Sequence, residues 1–236
     1  MTLQLLYEDE HLAAANKAAG RIVVPGRGAP EVTLRDEAEA MLGRLWVVHR
    51  LDRGTSGVVL FGRSAAAHRG ACLAFEQHRV SKRYLALVRG LLDREVRLDV
   101  PVTAGRRGRM RVAAGPGGRA SATFFRPLAQ FPAREGLPAL TLVEAFPESG
   151  RTHQIRVHLA HLGHPLAVDP DYGDAEPLAL DGRTLLSRTP LHAASLELLH
   201  PVGERPLRIE APLPPDMEET IAALRPAPPS QASKRG

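Results

Sequence analysis

The chain carries one cysteine, Cys72, so no disulfide can form within it and a cystine-stapled scaffold is excluded. Aromatic residues make up only 4% of its 236 residues, which leaves aliphatic side chains and alanine to fill an interior. No run of eighteen apolar residues occurs, so no helical membrane span is expected. The opening Met1-Thr2-Leu3-Gln4 lacks the basic-then-apolar pattern of a secretory leader, and a cytoplasmic protein is expected. Lysine is scarce: Lys17, Lys82 and Lys234 stand among 31 lysines and arginines. No glycine-rich strand-to-helix turn matches a nucleotide-binding fingerprint, and no repeat period is visible.

What is present is a 44% hydrophobic chain, enough for a substantial core in one large domain or two small ones. Its net charge is +5 and its pI about 10.0. An arginine's planar fork suits phosphates and base edges better than a lysine's point charge. The same arginine excess, with abundant Ala, Gly and Pro, fits a GC-rich genome equally well.

Apolar alternation and breakers predict strands at residues 3–7, 11–15, 45–48, 57–62, 83–88, 139–146 and 192–199. Helices are expected over 33–42, from an N-cap at Ser64 to about Gln77, and after His153, where Ile155, Leu159 and Leu162 recur on one face. Asp216 and Glu219, after Pro214-Pro215, mark the start of a short terminal helix. Residues 105–119 read as a glycine-rich loop, and 226–236 as a disordered tail after a single domain over 1–225. Strands and helices do not alternate, which predicts an α+β fold with a largely antiparallel mixed central sheet flanked by helices and loops.

Two segments concentrate chemistry. In His49-Arg50-Leu51-Asp52-Arg53-Gly54-Thr55-Ser56-Gly57 a single carboxylate lies between two arginines on a turn of small residues. Opposite charge nearby favours the ionised form, and such an Asp can serve as nucleophile or base. An ordinary loop Asp would only cap its own turn. About a hundred residues later, Ser149 to His158 supplies Arg151, His153, Gln154 and Arg156 at a helix start, where the helix end itself favours anions. A solvated helix start explains those residues equally well before any family argument. Arg106, Arg107, Arg109, Arg111 and Arg119 form a third basic group that could fold onto a phosphate backbone. Tyr84, on an apolar strand after Lys82-Arg83, is either core or faces a basic cleft. His158, His161 and His164 drift around a helix with no acid at ligand spacing, so no metal site is expected.

These residues together resemble the RluA class of RNA pseudouridine synthases. Val48 to Gly57 matches that family's catalytic motif, Lys82-Arg83-Tyr84-Leu85-Ala86 its tyrosine strand, and Gly150 to His158 its third motif. Shorter matches, from Tyr7-Glu8-Asp9-Glu10 and Asn16-Lys17 to Tyr172-Gly173 and His200-Pro201, extend the resemblance over residues 3–215. It implies the pseudouridine synthase fold and the conversion of uridine in RNA to its C5-linked isomer, without a cofactor. It implies Asp52 as catalytic carboxylate, Arg156 within direct hydrogen-bond reach of it, and Tyr84 stacked on the uracil. Arg50 would fill the gap left by an extruded base, while Arg53, Arg151, His153 and Gln154 serve the RNA side. The partner implied is structured RNA, ribosomal or transfer, met by a monomer without a preceding S4-type module. Ala167-Val168-Asp169-Pro170 departs from the family pattern, which leaves Asp169 without an expected role. A non-catalytic RNA-binding protein of the same fold and a histidine-based metallohydrolase are the competing readings.

Overall fold

The computed structural model describes residues 3–26, 31–115 and 117–225, apart from the side chain of Arg107. In chain order the elements are β1 (Gln4–Glu8), β2 (Leu12–Lys17), α1 (Leu34–Leu42), β3 (Trp46–Val47), β4 (Ser56–Gly62), α2 (Ala65–Glu76), β5 (Ser81–Arg89), β6 (Val96–Asp99), β7 (Val102–Ala104), β8 (Met110–Val112), β9 (Ala122–Phe131), β10 (Leu140–Pro147), α3 (Gln154–His161), β11 (Leu178–Leu180), β12 (Arg183–Leu186), β13 (Leu191–Leu199), β14 (Pro206–Glu210) and α4 (Pro215–Leu224). Ten strands form one sheet in the order β1-β2-β4-β13-β5-β10-β9-β6, with β3 beside β4 and β14 beside β13. Among the described residues the strand pairs are antiparallel except β4 with β13.

That parallel contact is short, His192 to Ser56 and Ala193 to Gly57, because β14 takes over the same edge of β13 from Ser195 onward. β4 likewise passes from β13 at its start to β3 at its end. The sheet therefore splits beside the loop between β3 and β4, which carries Asp52.

Successive strand residues face opposite sides, and here both sides are covered. Leu12, Ala14, Val58 and Leu60 pack beneath the alanine stripe of α2, while Ala13, Ala15, Val59 and Phe61 pack against Leu34 and Ala38 of α1. Double burial explains why β2 and β4 read as continuous apolar runs. On the far half, α3 covers β5, β9 and β10 through Ile155 and Leu159. The opposite face there meets α4 through Met217, Ile221 and Leu224.

The expected α+β architecture is the one observed, and α1 and α2 begin where their caps predict. Thr33 closes a reciprocal capping box with Asp36, and the Ser64 hydroxyl accepts from the Ala67 amide. The end of the chain differs. α4 opens on Pro214 and Pro215, with no capping side chain; Asp216 instead forks onto Arg188 at 2.6 and 2.8 Å, and Glu219 pairs with Arg183. The expected loop over 105–119 is in part a small β7–β8 sheet, in which Val102 faces Val112 and Ala104 faces Met110. The tail predicted at 226–236 lies outside the described residues.

Candidate active site

Asp52 sits on a loop pinned from three sides. Its own carbonyl accepts from the Thr55 amide at 3.1 Å, closing a turn. The next carbonyl, of Arg53, accepts from the Gly20 amide at 2.8 Å and from Lys17 Nζ at 3.1 Å. Lys17 is fully buried and gives its remaining hydrogens to the carbonyls of Ala18 and Arg21. Burial brings its pKa down to about 7, against the pull of the Asp52 charge. Two neutral histidines hold the loop's flanks. His49 Nε2 accepts from the Leu60 amide at 3.1 Å, and Ser56 Oγ bonds His192 Nδ1 at 3.0 Å. Burial lowers His49 to about 3 and His192 to about 4. Gly57 is required where β4 meets β13: its φ is +115°, and a Cβ there would lie 2.1 Å from the Ala193 carbonyl oxygen.

The loop opens onto a cavity of about 130 Å³, lined by Arg50, Asp52, Lys82, Tyr84, Arg151, His153, Gln154 and Arg156 among others. Asp52 is the one acid in that lining, facing four lysine or arginine side chains. Tyr84 reaches it from β5, its hydroxyl unbonded among the described residues. Burial holds the phenol above its ordinary range, and the charge of Asp52 adds to this, so Tyr84 stays protonated at neutral pH and offers a donor rather than a base. Lys82 donates to the Ser149 carbonyl at 2.9 Å, and burial next to Arg151 lowers it to about 8.

Arg156 projects from α3 and is 6% exposed. The expected direct bond to Asp52 is not made: Arg156 Nη1 lies 4.0 Å from Asp52 Oδ2. The forked edge of the guanidinium is taken by Asp169, with Nε at 2.8 Å and Nη2 at 2.6 Å, and Nη2 also meets Asp171 at 2.8 Å. Only Nη1 is left to face Asp52. Asp169 thus has a role the sequence did not suggest. It is fully buried, locks the arginine, and its Oδ1 accepts from the amides of Asp171 and Tyr172, which shapes the turn after α3. Burial opposes the charge on Arg156, but the bonds to Asp169 and Asp171 more than offset it and hold the group firmly cationic.

The other expected residues divide by position. Arg50 lines the cavity and has no protein partner among the described residues. Arg151 lines it too, with Nε bonded to the Ala120 carbonyl at 3.2 Å. Gln154 is 3% exposed with its amide taken up by the scaffold: Oε1 accepts from Ser149 and the Arg151 amide, and Nε2 donates to Ala122 and Thr123. Arg53 points away and pairs with Glu31 at the surface. Arg106, Arg109, Arg111 and Arg119 are exposed on or beside the β7–β8 sheet, outside the cavity lining; the Arg107 side chain lies outside the described residues. His158 is a structural histidine, bonded to Thr123 at 2.9 Å and the Val100 carbonyl at 3.1 Å. Asp169, Asp171 and Arg188 complete the surroundings of the site and carried no local signal, whereas Lys17 and Tyr172 stood in short matches to the family with no role attached. Their spacing from Asp52 in sequence is irregular, and only the sheet brings them near.

Residues 11–161 match the family model described as RNA pseudouridylate synthase. The ribosomal large subunit pseudouridine synthase D of Xanthomonas campestris is 39% identical over 94% of this chain and 70% of its own length. The enzyme of the same description from Nitrosomonas europaea is 38% identical over 98% and 68%, and the ribosomal large subunit pseudouridine synthase C of Vibrio cholerae 38% over 94% and 70%. The solved structure of human RNA pseudouridylate synthase domain containing 1 shares the fold at a TM-score of 0.72, with 24% identity and 96% of each chain covered. Since the family match takes in both chemical motifs and the relatives align across nearly the whole chain, the protein belongs to the RluA-class RNA pseudouridine synthases, isomerases that convert uridine in RNA to pseudouridine.

Proposed function

We propose that the chain modifies uridine in large-subunit ribosomal RNA, with Asp52 as the catalytic carboxylate. The carrying observation is the convergence of Asp52, Tyr84 and Arg156, from three distant parts of the chain, on one cationic cavity. The reaction breaks the C1′–N1 bond of one nucleotide, turns the uracil, forms a C1′–C5 bond, and loses the C5 proton to solvent while N1 takes one up. It requires a base swung out of its stack, which costs a few kcal/mol. Asp52 attacks the everted nucleotide. Arg156 faces the same carboxylate and compensates its charge, and Tyr84 stacks on the uracil with its phenol protonated. Arg50, free at the rim, fills the space the base leaves. The names of the relatives favour ribosomal over transfer RNA as substrate. We read the protein as a monomer that works in the cytoplasm.

The test is release of tritium from a large-subunit RNA transcript labelled at uridine C5, with the modified position mapped afterwards. Wild-type protein is expected to release label at a discrete site. Asp52→Asn is expected to bind the transcript and release none. Release by Asp52→Asn at the wild-type rate would remove Asp52 from the chemistry, and release only from transfer RNA would reassign the substrate.

A further inference from the structure

We propose that His153 is a positioning residue that aims Asp52 through a ring hydrogen fixed by Tyr172, and does not contact RNA. The inference rests on the catalytic assignment of Asp52 above.

The partners present point to one assignment of the hydrogens in the cluster. The Met110 amide donates to the Tyr172 hydroxyl oxygen at 2.8 Å. That phenol has a single hydrogen, and its other close partner is His153 Nδ1 at 2.8 Å. We assign the Tyr172 hydrogen to Nδ1, the one other polar atom close to it, and a neutral imidazole that accepts at Nδ1 carries its hydrogen on Nε2. Nε2 faces Asp52 Oδ2 at 3.7 Å. Arg156 Nη1 approaches the same oxygen at 4.0 Å. Two donors from α3 and its cap thus converge on one carboxylate oxygen and leave the other for the nucleotide. Both distances exceed a direct hydrogen bond by roughly an ångström, as catalytic hydrogen bonds often do before substrate is bound.

Three further features suit this role. His153 has φ of +54°, a left-handed backbone that a non-glycine residue adopts at a cost, and it is this backbone that turns the ring toward Asp52 instead of outward. The ring stands edge-on to Tyr172 at 5.5 Å, and Tyr172 in turn carries the Arg156 guanidinium over its face at 4.9 Å. The two donors are therefore braced by one aromatic ring. Both ring nitrogens of His153 face protein groups, Nδ1 the Tyr172 hydroxyl and Nε2 the Asp52 carboxylate.

The experiment measures single-turnover tritium release and RNA affinity separately, using the C5-labelled large-subunit transcript. His153→Asn keeps a polar group near the Nδ1 position and loses the donor to Asp52. It is expected to slow release at least tenfold with the dissociation constant unchanged within twofold. His153→Gln restores an amide hydrogen near the Nε2 position and is expected to recover most of that loss. Tyr172→Phe removes one hydroxyl, frees the ring to change tautomer, and is expected to slow release severalfold at unchanged affinity and melting temperature. Equal slowing in His153→Asn and His153→Gln with weakened RNA binding would make His153 an RNA contact and overturn the proposal. Wild-type rates in both His153→Asn and Tyr172→Phe would also overturn it. Neither result touches the catalytic reading, which fails separately if Asp52→Asn still turns over.

Discussion

Two aspartates on consecutive turns hold the same guanidinium, yet they are expected to differ sharply. Asp169 is fully buried and binds Arg156 through both oxygens, while the Asp171 side chain is 34% exposed and meets Arg156 through one oxygen. Removing one member of a buried pair strands the other charge and typically costs about 3–5 kcal/mol. A partly exposed pair is worth about 0–1 kcal/mol. Asp169→Ala is therefore expected to lower the urea midpoint sharply and to release Arg156 from its aim at Asp52, so activity falls with stability. Asp171→Ala should leave the midpoint nearly in place. A small shift for Asp169→Ala would show that Arg156 is anchored by something other than this fork. Asp52, Tyr84 and Arg156 were readable in the sequence because each sits in a dense motif. Asp169 was not, because its surroundings depart from the family pattern, and what makes it essential is burial, which short-range sequence does not display.

The elements that sequence exposed are those whose two faces are both buried, such as β4 and β5, and those with side-chain caps, such as α1 and α2. Strands broken by a proline, or only a few residues long, were hidden. β9 contains Pro127, tolerated because it lies at the register shift opposite Leu142 and Val143. β7 and β8 are three residues each; β8 lies in the Arg- and Gly-rich stretch over 105–119 that read as a loop, and β7 just ahead of it. Their order comes from outside the hairpin. Met110 bonds Tyr172, and Arg109 reaches the Pro170 carbonyl at 3.1 Å and Asp171 at 3.3 Å. Arg109 is thus a dock, while Arg106, Arg111 and Arg119 are exposed without an acidic partner among the described residues. Changing those three to Glu is expected to weaken RNA binding and to flatten its salt dependence. The slope of log affinity against log salt should fall by roughly 0.7–0.9 for each phosphate deprived of its arginine, with the melting temperature unchanged. An unaltered slope would place the RNA elsewhere on the surface.

Across the molecule, buried bases outnumber the acids that could compensate them, and this sets how stability depends on pH. His192 is 1% exposed and titrates at about 4, against 6.5 for a free histidine. Between those values the unfolded chain binds the extra proton, so stability falls as pH drops below about 6.5, by up to ~1.4 kcal/mol per pH unit for each such group. His49 acts in the same direction over a wider window, and both losses strike the loop that carries Asp52. Lys17 and Lys82 titrate at about 7 and about 8, against 10.5 when free. The unfolded chain again binds more protons in the interval, so stability climbs as pH rises above about 7. Tyr84 reverses the sign: its pKa is raised above 10.0, so its contribution is present below that pH and lost above it. On these groups stability is therefore still climbing between pH 8 and 10 and is expected to turn over only near pH 10, where Tyr84 begins to oppose the lysines. Urea midpoints measured from pH 4.5 to pH 9.5 test this. His192→Gln should flatten the acid limb, and Lys17→Met the rise above neutrality, each leaving the other limb intact. A midpoint that peaks near pH 6 and is indifferent to both changes would mean that these groups reach water more freely than their packing implies.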